Sequence, residues 1–256
     1  MSQQAEAGFE SGAGASSSAA VVALMQRELS ALFFSPIAYI VGFVFLILSG
    51  MYFTTDVLQP GNEASMRMLF ERIAGLLVFA LPLLTMRSMA DELATGSIES
   101  LMTAPVTDTG VVLGKFLGVM IFYIGLLAMT LPHLVLMKVY AKPVGTEILS
   151  GYIGLILLGA MFAAVGLFAS SCTRHQLLAA VIAVAVLATF SFAASYAGEQ
   201  LRAGFLRRFC TSLNVLDQFA NCNKGMIDLR SVVFFVTNTC LFLFLAVKVL
   251  ESRRWR

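Results

Sequence analysis

The stretch Ile148–Ser171, ILSGYIGLILLGAMFAAVGLFASS, runs for 24 residues without a charged side chain, and its reading decides the fold. A helix crosses the apolar core of a bilayer in roughly 20 mainly apolar residues. Only helices and closed barrels satisfy their own backbone polar groups there. Barrel strands alternate in character over about ten residues, so an unbroken run of this length reads as a transmembrane helix. Working outward, Pro36–Phe53, Ile73–Ala90, Phe116–Met137, Leu177–Ala197 and Ser231–Val247 have the same apolar character. Composition agrees: the 256 residues are 59% hydrophobic and 12% charged, too few charges to clothe a soluble domain. The expected fold is therefore all-α, a polytopic membrane protein with six transmembrane helices. A formal net charge of +2 gives no argument for a nucleic-acid partner.

The flanks refine this picture. Residues 1–20 are small and polar and read as a disordered tail. They lack the basic start and apolar stretch of a removable signal, so the first span is expected to act as its own insertion signal and 21–256 to form the membrane domain. Leu24 to Phe34 reads as an interfacial amphipathic helix, with Leu24, Met25, Leu29, Leu32 and Phe33 able to share one face. Pro36 suits the first turn of the adjoining span. The second span has a short uncharged part, Ile73 to Met86, and reaches full length only if Arg87 snorkels to the interface. An even number of spans puts both termini on one side. With that side inside, eight Lys and Arg fall inside and nine outside, so counting does not orient the chain. The cluster Arg253-Arg254-Trp255-Arg256 favours cytoplasmic ends in the inner membrane.

Two loops are too long for simple connections: Arg87–Lys115, expected on the cytoplasmic side, and Gly198–Arg230, expected outside. On a helix, Glu92, Thr95 and Glu99 of the first loop share one side, and Ala94, Ile98 and Leu101 another. Gly96 in its middle implies a bend or a close contact. Pro105 closes the segment, and Asp108 is placed to cap the next helix. The residues alone leave open a plain interfacial helix with a solvated acidic face.

In order and spacing, Arg87, Asp91-Glu92, Gly96-Ser97-Ile98-Glu99-Ser100-Leu101, Pro105 and Gly114-Lys115-Phe116 resemble the ABC-type-2 permeases, and most closely their gliding-motility-type branch. Ser97 stands where that family usually has Thr. Leu213 to Phe219 with Gly225 to Asp228 resembles the family's segment before the last span, and Glu251-Ser252-Arg253-Arg254 its basic tail. The resemblance implies that Arg87–Lys115 carries a coupling helix docking into a separate ATPase subunit. Asp91, Glu92, Gly96, Ser97, Ile98, Glu99, Leu101, Pro105 and Arg174 would then be the ATPase-coupling residues. Glu92 and Glu99 would make polar contacts; Ile98 and Leu101 would anchor by packing. Short re-entrant helices within Gly198–Arg230 are implied too, with Phe205, Leu206, Phe209, Leu213, Leu216 and Phe219 dipping into the outer leaflet while Arg202, Arg207 and Arg208 stay wet. The alternative there is an ordinary amphipathic surface helix.

Other signals carry less. Gly110 to Phe116 imitates a phosphate-binding loop but is one residue short between the glycines and has Phe116 where Ser or Thr should hold magnesium. No nucleotide cofactor or catalytic residue is therefore expected in this chain, and ATP would be bound by a partner. The four cysteines lack metal spacing; Cys210 and Cys222 could pair if their compartment is oxidising, though free thiols are the simpler expectation. His133 reads as interfacial rather than as part of a pathway, and Asn238 as interhelical glue. Gly114-x-x-x-Gly118 and Ala160-x-x-x-Ala164 read as packing patterns.

The expected function is the permease subunit of an ATP-driven ABC exporter, not itself an enzyme, paired with a like or similar second permease subunit and with ATPase subunits beneath. An apolar path suits lipids, lipid-linked glycans or hydrophobic compounds. The rivals are a secondary transporter, disfavoured because the spans nearly lack central charges, and a non-transporting membrane anchor of a motility or envelope machine.

Overall fold

The computed structural model describes residues 19–57, 65–96, 107–140, 145–193, 214–223 and 228–254. Their regular structure is helical throughout, with no strand among the described residues. Residues 19–33 form α1. After it come α2 (Pro36–Tyr52), which runs into a π-helical turn Phe53–Val57, and α3 (Met66–Thr95). Next are α4 (Asp108–Ala128), α5 (Leu131–Tyr140) and α6 (Gly145–Cys172). The chain continues with α7 (Gln176–Ala188) and its π-helical turn Thr189–Ala193, then α8 (Val215–Cys222) and α9 (Leu229–Arg254). Among the described residues five segments are long and apolar enough to cross a membrane: Pro36–Val57, Met66–Thr95, Asp108–Met137, Gly145–Cys172 and Leu229–Arg253. The expected span Leu177–Ala197 corresponds to the shorter apolar helix Gln176–Phe192.

The helices begin and end for local reasons. Pro36 occupies the first turn of α2, where its missing N–H costs nothing. α3 is longer than the sequence suggests. At 30 residues it spans about 45 Å at 1.5 Å per residue, carrying Asp91 and Glu92 on the same rod as the membrane-crossing part. Gly96 ends it with φ +72°, a left-handed C-cap where a side chain would be strained, in place of the expected mid-helix bend. α4 is capped by Thr107, whose hydroxyl accepts from Gly110 N at 3.2 Å, and Asp108 falls inside the first turn. The third span is interrupted at Met129–Thr130. Pro132 has no N–H, and in a continuous helix its ring would press on the Ala128 carbonyl. Thr130 instead closes the turn, donating its hydroxyl to Leu127 O at 2.7 Å.

α6 is the axis of the bundle, packed against α3, α4, α7, α8 and α9. Lipid tails are as apolar as leucine, so membrane helices associate by close packing more than by hydrophobic drive, and small residues let backbones approach. Gly151 receives the Phe70 ring, Gly159 the Tyr123 ring and Gly166 the Thr85 side chain, with no space left for a Cβ at any of the three. Phe162, Ala163 and Ala164 are fully buried between these contacts. The Tyr123 hydroxyl donates to Leu155 O at 2.7 Å, so its one polar atom is satisfied inside the apolar core.

At the end of the bundle where α3 begins, α8 lies against α6. Phe219, fully buried, meets Gly154, and Asn223 Nδ2 donates to Arg67 O at 2.9 Å. Phe219 thus packs on protein rather than into a leaflet. Phe205, Leu206, Phe209, Leu213, Cys210 and Arg202, Arg207 and Arg208 lie outside the described residues. Asn238 bonds its own helix at Phe234 O, 2.8 Å away, rather than a neighbour. His133 Nδ1 lies 3.0 Å from Thr130 O and its ring stands edge-on to Phe53.

Gly159→Leu should lower the apparent melting temperature strongly, because overpacking against Tyr123 costs about 1–3 kcal/mol or more. Gly125→Leu, at an exposed position with open space beside it, should change it little. Heating each detergent-solubilised protein and following its size-exclusion peak tests this; equal melting of the two would contradict the packing assigned to α6.

Candidate functional site

The polar residues converge where α3 and α6 end and α4 and α7 begin. Lys115 sits two turns into α4, flanked by Gly114 and Gly118, and α1 lies across these glycines. A Cβ at Gly114 would stand 2.8 Å from Leu24 Cβ, and one at Gly118 2.8 Å from Glu28 Cβ. The small-residue pattern of α4 is therefore a seat for α1, and this close approach brings the charged ends of Glu28 and Lys115 together. With 3% of its side chain exposed, Lys115 places Nζ 3.2 Å from Glu28 Oε2, 3.0 Å from Glu92 Oε1 and 2.5 Å from Ser88 O. An ammonium has three N–H donors, and these contacts use all of them. Arg27 reaches Glu92 from the exposed side of α1 at 3.8 Å.

A second set of contacts surrounds Asp91, one residue earlier on α3. Arg87 Nε donates to Asp91 Oδ2 at 3.1 Å and Arg87 Nη1 to Ser35 Oγ at 3.0 Å, tying the end of α3 to the start of α2. The Gln176 amide donates to Asp91 Oδ1, so the start of α7 joins the same carboxylate. From α6, the Ser170 hydroxyl donates to Met86 O and accepts from Met89 N and Ala90 N, each at 3.0 Å. A side chain set into the i→i−4 ladder in this way is one of the features that bend helices. Arg253 at the end of α9 donates to Ser171 O and Cys172 O at 3.2 and 3.1 Å. Between α1, α2 and α3 lies a cavity of about 170 Å³ lined by Arg27, Glu28, Ser35, Arg87, Asp91, Glu92 and Lys115 among others. Ser88 Oγ and Glu92 Oε2 are buried without a hydrogen-bond partner among the described residues, and both residues line that cavity.

The model of a family described as ABC-2 family transporter protein matches residues 3–208, four-fifths of the chain. The chain belongs to this family. No curated protein matches it. As an ABC-2 family membrane protein with several spanning helices, it is of the class from which ABC transporters draw their permease subunits.

For this ABC-2 chain the expected coupling residues divide. Asp91 and Glu92 lie in the last turns of α3, engaged with Arg87 and Gln176, and with Lys115 and Arg27, respectively. Gly96 caps α3, and Arg174 is exposed in the turn between α6 and α7. Ser97, Ile98, Glu99, Leu101 and Pro105 lie outside the described residues. Sequence reasoning missed Lys115 as the centre of the first set, with Glu28 as its partner, and Gln176 and Ser170 as partners of Asp91 and of the α3 backbone. The available signal was a lysine inside an apolar helix between two glycines four residues apart, where a second helix can come close enough to pair with it.

Removing one member of a buried ion pair leaves an uncompensated charge and costs about 3–5 kcal/mol, whereas an exposed pair contributes about 0–1 kcal/mol. Lys115→Met should therefore destabilise the protein severely, while Lys248→Met, which loses an exposed contact to Glu251 on α9, should be nearly neutral. Thermal unfolding in one detergent measures both, and a mild effect at Lys115 would mean that its carboxylates find other partners.

Proposed function

We propose that this chain is the transmembrane permease subunit of an ATP-driven ABC exporter, with ATP hydrolysis supplied by a separate ATPase subunit. It would work beside a second, like or similar, permease subunit in the inner membrane. Six crossings, with both termini cytoplasmic, fit the helix directions. α7 starts at the face where α3 and α6 end, α8 lies at the opposite face, and α9 returns. Within the family, the resemblance of the motif from Arg87 to Phe116 supports the gliding-motility-type branch.

One observation carries the reading. α3 leaves the bundle at Gly96 on the same face as the α6–α7 turn with exposed Arg174, and the Asp91–Gln176 hydrogen bond ties the two exits together. The exit of α3 and the α6–α7 turn thus share one face, which supports an ATPase gripping the chain there. Closure of an ATPase dimer on ATP would push segment 97–106 and the turn together, and α3 is a continuous rod from there into the bundle. Ile98 and Leu101 would pack into the ATPase, with Glu99 and Arg174 making the polar contacts. Asp91 and Glu92 would hold the end of α3 in place behind them.

Purification of the tagged chain from its own cells in mild detergent should bring down an ATP-hydrolysing protein. Ile98→Asp/Leu101→Asp and Glu99→Lys should each reduce that recovery about tenfold or more, as expected for an anchor of about 2 kcal/mol, with the size-exclusion profile of the chain unchanged. Parent protein that brings down no ATPase would point instead to the anchor or the ATPase-independent transporter.

A further inference from the structure

Besides the Phe33–Phe122 ring contact and the buried Leu32, α1 meets the start of α4 through two features only a few residues apart in sequence. Its backbone rests on Gly114 and Gly118, where close approach is apolar and without direction. Its Glu28 carboxylate meets Lys115, and that contact is directional and buried. Lys115 in turn holds the last turns of α3 at two points, the Glu92 carboxylate and the Ser88 carbonyl. One ammonium therefore spans three elements: the helix lying across the bundle, the rod leading to segment 97–106, and the helix on the far side of that segment. Such an arrangement exceeds what holding α1 down requires. An uncharged contact on the two glycines would suffice for that, and withdrawing a lysine from water costs several kcal/mol unless its partners are complete.

We infer that Lys115 is a positioning residue for coupling: it locks α1 to the end of α3, so that displacement delivered by an ATPase subunit moves α1, α3 and α4 as one body. This rests on the permease reading above. Glu28 and Glu92 are both carboxylates and each pairs with Lys115, so the buried link between the two helices runs through the ammonium. The exposed Arg27–Glu92 contact at 3.8 Å is longer and open to solvent, and adds little to it. The apolar seat on Gly114 and Gly118 fixes where α1 lies; the ion cluster fixes whether α1 follows α3.

The test uses the complete complex in nanodiscs and compares the parent with Lys115→Arg and with the triple variant Lys115→Met/Glu28→Gln/Glu92→Gln. The triple variant removes the link without leaving a buried charge unpaired, so it remains usable even where Lys115→Met alone fails to assemble. Trypsin can cut after Arg27 only when α1 opens locally, so the rate of that cut reports the population of undocked helix. The triple variant should be cut at Arg27 about tenfold faster than the parent, beyond the gain that Glu28→Gln gives in a free peptide of residues 19–33, with the size-exclusion profile of the complex unchanged. Its bound ATPase should keep the parent's KM for ATP, since the nucleotide site is elsewhere, while kcat falls about fivefold. Lys115→Arg, which preserves the charge, should restore most of both. Parent-like cutting at Arg27 in the triple variant would overturn the lock, and so would faster cutting with unchanged kcat. If the parent recovers no ATPase, the permease reading fails, and the trypsin comparison alone still decides whether Lys115 holds α1.

Discussion

Helices immersed in lipid gain little by hiding apolar side chains from one another, because the surrounding hydrocarbon is an equally good solvent for them. Such a bundle is held by contact too close for lipid to replace, and this requires positions where one helix has almost no side chain. α6 supplies them. Gly151, Gly154, Gly159 and Gly166 each admit a bulky neighbour, from Phe70, Phe219, Tyr123 and Thr85 respectively. Because those neighbours belong to α3, α4 and α8, the placement of these helices is set by α6. The exposed apolar faces of α2, including Tyr39, Ile40 and Phe43, need no partner in the chain for the same reason.

The polar groups obey a complementary rule. A backbone or charged group inside a bilayer must be satisfied within the protein, and near the interface it can be satisfied more cheaply. The charges of this chain accordingly gather where helices begin and end. Arg72 pairs with Asp56 at one end, and Arg87, Asp91, Glu92, Lys115 and Glu28 interlock at the other. The second end differs in having Lys115, Glu28 and Glu92 largely shielded from solvent. There Lys115 alone joins α1, α3 and α4, and Ser170 adds a hydroxyl to the α3 ladder a turn away.

How much of this the sequence reveals depends on the physics behind each feature. Five of the six expected spans were legible because bilayer thickness imposes a long, uncharged run, as in Ile148–Ser171, while Leu177–Ala197 meets only the shorter helix Gln176–Phe192 among the described residues. Helix ends were less so. Thr107 and Asp108 are both competent caps, and only the geometry of the turn selects Thr107. Gly96 was visible as a break, but a glycine can bend a helix or end one, and only its backbone angle, φ +72°, decides for an end. Phe219 illustrates a different limit: an apolar residue near an interface can face lipid or protein, and the choice lies with Gly154, more than 60 residues away. Lys115 was hidden for a related reason. Its partners come from 87 residues earlier and from the preceding helix, and no local periodicity records such a meeting.

The position of Glu92 changes what an acidic residue near a coupling segment means. In sequence it sits with Glu99 on one side of a helix, as though both faced a partner. In the fold one oxygen of Glu92 is held by Lys115 and the residue is largely buried, so a charge reversal there would break the bundle before it disturbed any docking surface. Mechanically this is the more useful place. A residue at the contact can set only how tightly a partner binds, whereas one behind it sets which helices move when the contact moves. The end of α3 holds both kinds within a few residues, with Asp91 and Glu92 fixed to the bundle and Gly96 releasing the chain beyond them. Under the proposed coupling, a force applied past Gly96 would meet a rod already tied to α1, α2, α4 and α7, and would be shared among them.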